Sequence, residues 1–152
     1  LLEPLPALRC AFARLRATAP HAARVSLVHG DLRVGNFLAH EGRVTALLDW
    51  EMAHLGDAHE DLAWAYRAIW SPARVLPFDD FVARYEQAAG THVDRDVLRW
   101  YQMFNEVKHV VISLTAARSF HDGRSTNLRL ADRNTTVAPF LARFYELLDG
   151  AA

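Results

Sequence analysis

Apolar residues along the chain follow two rhythms, and the changes between them mark its elements. From Pro4 to Arg16 they recur at steps of three and four (Leu5, Leu8, Ala11, Phe12, Leu15), the spacing of one helical face, which predicts a helix over about 4–18. Between Arg24 and Trp50 the rhythm is that of short strands: Val25-Ser26-Leu27-Val28, Asn36-Phe37-Leu38-Ala39, a turn at Glu41-Gly42, and Val44 to Leu48. This is the one convincing β region. The helical period returns with Ala58, Leu62, Ala65, Tyr66 and Ile69, with Asp57 as the capping residue. Pro72 and Pro77 bracket a loop, and a helix over 79–89, with Phe78, Phe81, Val82 and Tyr85 on one face, ends at Gly90. The longest helix is expected over about 94–118 on the stripe Val97, Trp100, Tyr101, Phe104, Val107, Val111 and Leu114. His121 to Asn134 reads as a loop. A last helix over about 136–148 carries Val137, Phe140, Leu141, Phe144, Leu147 and Leu148. The fold class is therefore α+β and mainly α, a small β-hairpin region within a helical body.

Composition narrows the setting. The chain of 152 residues is 51% hydrophobic and 23% charged, as ordinary globular chains are, and is read as a single domain over 1–152. A chain of this length buries roughly 68–70% of its unfolded surface and needs no disulfide or structural metal. The single cysteine, Cys10, forbids a disulfide within the chain, agrees with a reducing, cytoplasmic location, and is expected to be a buried, inert thiol. With 17 Lys and Arg against 18 Asp and Glu the net charge is -1, which makes no case for a nucleic-acid or anionic-membrane partner. No run approaches the ~18 apolar residues of a membrane span. The chain starts Leu1-Leu2-Glu3-Pro4, with neither a Met nor a basic-then-apolar leader, and so reads as a fragment.

The polar residues with chemical promise crowd into the β region. Asp31 ends a strand in a glycine-flanked loop, Asn36 stands where the chain turns into the next strand, and Asp49 closes the return strand. If residues 37–48 form a hairpin its two ends meet, so Asn36 and Asp49 come within side-chain reach. Both offer hard oxygen ligands. Magnesium takes one or two carboxylates, several waters and substrate phosphates, a demand that an Asp and an Asn can meet while Asp31 is left to act as a base.

His29-Gly30-Asp31, Asn36 five residues on, and Asp49-Trp50-Glu51 have the spacing of the catalytic and magnesium loops of protein kinases. With Gly56-Asp57-Ala58-His59-Glu60-Asp61-Leu62-Ala63 they resemble the aminoglycoside phosphotransferase family of small-molecule kinases, the choline kinase-like group, and within it the branch linked to acyl-CoA dehydrogenases. Ala58 stands where that family's segment has proline, and the three blocks cover about residues 25–66. The resemblance implies a protein-kinase-like C-terminal lobe whose β-hairpin region carries the catalytic loop. It implies Asp31 as catalytic base, His29 as a residue positioning it, Arg33 as a contact to the transferred phosphate, and Asn36 and Asp49 as ligands of Mg2+ and, through it, of ATP or GTP. The implied reaction moves the nucleotide's terminal phosphate to a hydroxyl of a small molecule whose identity the residues do not specify.

A complete kinase also needs a glycine-rich loop over the phosphates and a strand lysine. The residues before His29 contain neither glycine nor lysine. The N-terminal nucleotide-binding lobe is thus read as absent from this chain, which alone is expected to be incomplete and to bind magnesium-nucleotide weakly. The first helix, around Leu5, Leu8, Phe12 and Leu15, is expected to be bared by that absence and covered by self-association. Two other classes compete. One is an inactive kinase-like module that works by binding a partner. The other is an HD-type metal-dependent phosphohydrolase, drawn from His54, His59, Glu60, Asp61, His109 and His121-Asp122, although His54 and His59 are five apart and share no helical face. Plainer readings give Asp57 as a helix cap, Asp61 as a partner for backbone groups of the catalytic loop, and Trp50, Trp64, Trp70 and Trp100 as core packing. Asp79, Asp80, Glu86 and Glu106 either line an acidic acceptor pocket or face water.

Overall fold

The computed structural model describes residues 5–67, 69–70 and 72–150. Its contacts divide the chain into two compact units: residues from Pro20 to Tyr101, and those up to Ala19 together with those from Gln102 onward.

The Pro20–Tyr101 unit holds all the strands among the described residues, as two separate antiparallel pairs. Strands β2 (Phe37–His40) and β3 (Arg43–Leu47) form the expected hairpin, in register Phe37 to Leu47 and His40 to Arg43, with an irregularity at Leu38/Ala39. The turn residues Glu41 and Gly42 have φ 49° and 73°, both positive, as a two-residue turn matched to strand twist requires. The other pair corrects the sequence reading. Strand β1 (Ser26–Val28) pairs with β4 (His54–Gly56), a strand beyond the expected β region, with Leu27 opposite Leu55. Three residues are too few to show an alternation, and β4 exists only because β1 offers it a ladder.

Helix α2 (His59–Ala65) is shorter than the pattern running to Ile69 predicts. The Trp64 carbonyl, which would continue the helix, accepts instead from the Arg67 N–H at 3.3 Å and the Trp70 indole N–H at 2.7 Å, and Ile69 is exposed. Helix α3 (Phe78–Ala89) ends at Gly90 in the left-handed conformation, φ 63°. Leu62 and Ala63 of α2, Val82 of α3, Val93 and Leu98 form this unit's core, flanked by Phe78, Phe81, Tyr85 and Tyr101.

Helix α4 (Arg95–His121) begins in this unit and ends in the other. The second unit adds α1 (Pro6–Ala17), α5 (Leu128–Asp132) and α6 (Val137–Asp149), around a core of Val110, Val137 and Leu141 with Leu8, Leu114 and Phe140 packed on it. Three expectations change here. Val111 is exposed, while the buried arc of α4 includes Met103, Val107, Val110 and Ala117 together with polar Asn105, Glu106, His109 and Ser113. That arc is wider than an apolar stripe because polar side chains find partners inside it: the Ser113 and Thr136 hydroxyls are 2.9 Å apart, and the His109 ring lies 4.2 Å from that of Phe140. The segment read as a loop from His121 to Asn134 contains α5 and a 3-10 turn, Arg133–Thr136, started by Asn127, whose side chain accepts the Arg129 N–H at 3.0 Å. Cys10 is exposed rather than buried, since it points off the face of α1 that buries Ala11 and Leu15. On the same helix Leu8 packs inward, while Phe12 keeps 49% of its surface exposed. No helix among the described residues is long and apolar enough to cross a membrane.

Candidate active site

β1 leads directly into His29-Gly30-Asp31. Gly30 has φ 81°, and a Cβ there would lie 2.5 Å from the Met52 carbonyl oxygen, so both the backbone conformation and the space demand glycine. The loop is held from below by Asp61 of α2. One carboxylate oxygen accepts the His29 N–H at 2.7 Å and the other accepts the Gly30 N–H at 2.9 Å, a pair of charge-assisted bonds across 30 residues of chain. The buried His29 ring completes the frame: Nδ1 accepts the Asp31 N–H at 3.2 Å and Nε2 donates to the Leu48 carbonyl at 2.9 Å. Those two partners define a neutral imidazole with its hydrogen on Nε2. Both nitrogens are committed to backbone, so the ring ties the Asp31 loop to the exit of β3.

The Asp31 carboxylate gathers three donors. Oδ1 accepts from the Trp64 indole N–H at 2.8 Å, Oδ2 accepts from Asn36 Nδ2 at 2.8 Å, and Arg33 Nε stands 3.2 and 3.1 Å from the two oxygens. Asn36 also donates to the Asp31 carbonyl at 2.9 Å. Its amide nitrogen is thereby spent on Asp31, and its oxygen accepts no hydrogen bond from the described residues. The Asn36 carbonyl accepts the Leu48 N–H at 2.9 Å, which sets Asp49, the next residue, beside the Asn36 end of the hairpin.

Asp49 differs from Asp31 in every respect that a sequence hides. It is exposed, its backbone is left-handed at φ 67°, and among the described residues its carboxylate takes no hydrogen bond or ion pair. The structure thus brings Asp31, His29, Arg33 and Asn36 into one hydrogen-bonded group and sets Asp49 at its margin. The Asn36 oxygen and the Asp49 carboxylate are hard oxygen donors not engaged by the described residues. Among the described residues no group of three His, Cys, Asp or Glu is placed to hold a metal ion. A cation here would complete its shell with water and phosphate oxygens, which is how magnesium is usually bound.

Trp64 is the member that sequence reasoning missed. Assigned to core packing, it is buried as expected, at 2% exposure, but its single donor is aimed at Asp31. The one available signal was its place three residues after Asp61, on the same face of α2.

The residues suggested for a metal phosphohydrolase are otherwise engaged. His54 pairs with Glu60 at 3.2 Å, His59 with Asp57 at 2.5 Å, and Asp61 with the His29-Gly30 backbone. Asp122 binds Arg118 and Arg124, which hold its carboxyl below the usual carboxylate range. Asp57 also accepts the His59 N–H at 2.9 Å, so it does cap α2, from one residue further out than a standard N-cap. Beside it, burial first and then the Asp57 and Glu60 carboxylates push the Tyr101 phenol up to about 12. Of the acids considered for an acceptor pocket, Asp79 pairs with Arg95, Glu86 accepts the Val93 N–H and pairs with His92, and Glu106 is buried.

Residues 1–101 match the Phosphotransferase enzyme family, and the chain belongs to it. Its fold is shared with a candidate aminoglycoside phosphotransferase from Ralstonia eutropha, at a TM-score of 0.81 and 23% identity over 98% of this chain and 50% of that one. The macrolide 2'-phosphotransferase MphH from Brachybacterium faecium aligns with a TM-score of 0.56 and 21% identity over 89% of this chain and 43% of that one. In sequence, the chain is 41% identical to mouse acyl-CoA dehydrogenase family member 10 over 56 residues, which are 36% of this chain and 5% of that protein. It is 43% identical to chicken acyl-CoA dehydrogenase family member 11 over 49 residues, 31% of this chain and 6% of that protein. The chain thus spans about half the length of the Ralstonia protein and a small part of the two dehydrogenase relatives.

Proposed function

We propose that this chain is the acceptor- and magnesium-binding half of a small-molecule O-phosphotransferase, which moves the terminal phosphate of ATP or GTP to a substrate hydroxyl. The observation that carries the reading is the Asp31–Asn36 pair: a half-buried carboxylate bonded to the amide nitrogen of a buried Asn five residues on, whose oxygen takes no hydrogen bond from the described residues. In this scheme Asp31 accepts the hydroxyl proton and orients the attacking oxygen. Asn36 and Asp49 would hold magnesium, which when bound neutralises phosphate charge. Arg33, whose side chain is partly exposed, turns from Asp31 to the transferred phosphate. His29 and Asp61 keep the loop in shape.

The full activity belongs to a protein that also supplies a phosphate-covering lobe, as the half-length match to the Ralstonia neighbour suggests. The short stretches shared with the two acyl-CoA dehydrogenase family members support a metabolic alcohol as the class of acceptor to screen first. A cytoplasmic location suits a nucleotide-dependent enzyme with a single exposed thiol. The exposed Phe12 face of α1 is where self-association would occur.

The deciding experiment is phosphate transfer from MgATP to a panel of small alcohols by the full-length enzyme and its Asp31→Asn variant. Turnover is expected to fall by roughly 10²–10⁴-fold with nucleotide affinity kept. Near-normal turnover in Asp31→Asn would refute the base assignment.

A further inference from the structure

Resting on the reading of Asp31 as the base, we propose that Trp64 is a positioning residue that gives the two oxygens of that carboxylate different tasks. Its indole N–H fixes Oδ1, so that Oδ2 is the atom that takes the acceptor's proton.

The three donors around Asp31 are not equivalent. Arg33 is on the partly exposed side and is needed at the phosphate, so it leaves Asp31 once nucleotide arrives. The Asn36 Nδ2 donor stays on Oδ2 when the amide oxygen serves magnesium and takes one of that oxygen's two lone pairs, so the other is open to the acceptor's proton. Trp64 does not change partners so easily. An indole carries one hydrogen and no acceptor, and this one is directed at Oδ1 at 2.8 Å. Its ring is also packed against two neighbours: the Arg67 guanidinium carbon lies 5.1 Å from the Trp64 ring centroid, and the Trp70 ring is 5.3 Å away. Trp70 also donates its own indole N–H to the Trp64 carbonyl at 2.7 Å.

The same face of α2 that carries Trp64 carries Asp61, three residues earlier, and Asp61 grips the backbone of the loop. One short helix thus sets both the path of the loop, through Asp61, and the rotation of its functional carboxylate, through Trp64. The consequence in the reaction is specific. The acceptor hydroxyl gives its proton to Oδ2 as its oxygen forms a bond to the terminal phosphorus. The bond from that phosphorus to the bridging oxygen breaks, and the nucleoside diphosphate leaves with the electron pair. A carboxylate free to rotate would offer either oxygen and lose alignment with the hydroxyl.

The test separates the N–H from the ring. Trp64 is replaced by 3-benzothienylalanine, which keeps the bicyclic shape but has sulfur where the N–H was, and separately by Phe. In the full-length enzyme, with MgATP and water as acceptor, either change is expected to lower kcat by about 10- to 100-fold, the worth of one hydrogen bond to a charged group, with the KM for MgATP unchanged. In an Asp31→Asn background the same replacement should add no further loss, because the proton acceptor is already gone. In ¹⁵N-tryptophan-labelled protein, the Trp64 indole resonance should move upfield in Asp31→Ala. Wild-type kcat in the benzothienyl variant alongside an inactive Asp31→Asn would overturn the positioning role and leave the base assignment standing. An active Asp31→Asn would remove the base assignment and this proposal with it. An indole resonance indifferent to Asp31→Ala would deny the contact itself.

Discussion

The two carboxylates that flank the β2–β3 hairpin, Asp31 on the loop leading into it and Asp49 at its exit, are built in opposite ways. Asp31 is half-buried, on a loop pinned by Asp61 and His29, and its oxygens receive Trp64, Asn36 and Arg33. Asp49 is exposed, stands at φ 67°, and has no side-chain partner among the described residues. A group that must meet a reacting oxygen in a set direction gains from being held before substrate arrives. A ligand for a hydrated cation gains from an unpaired carboxylate that the cation itself orders. The fold invests its hydrogen bonds in Asp31 and leaves Asp49 without them, which on the proposed reading suits a ligand completed by its cation.

The sharpest way to break this contrast is to make the same substitution at both positions and read stability beside turnover. Asp31→Asn places an amide among three donors, so one donor must lose its acceptor, and thermal stability should drop by about 1–3 kcal/mol along with the large fall in turnover. Asp49→Asn meets no protein partner and tolerates left-handed backbone, so its thermal midpoint should stay at the wild-type value. Its turnover and magnesium-nucleotide affinity should both fall, because a negative ligand is lost. Differential scanning calorimetry with titration calorimetry of MgATP distinguishes the two. Equal stability losses at the two positions would show that Asp49 is structural after all.

Next in size is the support under Asp31. Gly30→Ala puts a Cβ against the Met52 carbonyl at a residue with φ 81°. Strain and overpacking together should cost about 2 kcal/mol or more, measured by urea unfolding, with the Asp31 loop the first region to lose hydrogen-exchange protection. An unchanged midpoint would mean that the loop and the Trp50–Met52 turn are less tightly apposed than the structure gives.

The contrast between the two carboxylates also marks where the sequence was readable. Helices α1, α3 and α6 announced themselves by period because each buries a single apolar face, and the hairpin by its turn and its two short runs. The spacing of Asp31, Asn36 and Asp49 was legible because a hairpin forces its ends together, and Asp61 because its segment follows the family pattern. Strand β4 was not legible, since His54-Leu55-Gly56 becomes a strand only by pairing with β1, nearly 30 positions away. The early end of α2 was hidden in the same way, because the Trp70 indole that claims the Trp64 carbonyl is not visible as a helix stop. Trp64 looked like one more apolar position, for a sequence lists an indole N–H without saying where it points. The state of Asp49 was equally silent: nothing in Leu-Leu-Asp-Trp-Glu announces a positive φ or an unpaired carboxylate.

A smaller effect tests whether α2 supports Asp31 alone. Tyr101 lies beside Asp57 and Glu60 at the start of that helix, with its phenol raised from 10 to about 12. The unfolded chain therefore loses this proton first. The stability it contributes is complete below pH 10 and is lost as pH rises through 12. The thermal midpoint should fall across that interval, and Tyr101→Phe should flatten the fall. The Trp64 indole resonance should shift in the same interval in the wild type if α2 loosens, whereas a probe on Asp49 should not respond. A midpoint as steep in Tyr101→Phe as in the wild type would assign the alkaline loss to other groups.

The smallest expected change runs in the opposite direction and isolates what Asp49 costs the fold. A non-glycine residue in the left-handed region carries roughly 1–2 kcal/mol of strain, less for Asp than for most residues because its short side chain can settle there. Asp49 has no compensating side-chain bond among the described residues. Asp49→Gly relieves the strain but adds freedom to the unfolded chain, so the net gain should be about 0.5–1 kcal/mol, a rise of a few degrees in thermal midpoint. The same variant should lose magnesium-dependent nucleotide binding. Gaining stability while losing the ligand site is what a strained residue kept for function predicts. If Asp49→Gly were instead less stable, the Asp49 carboxylate would have a role in the folded protein, and the division of labour between Asp31 and Asp49 would have to be redrawn.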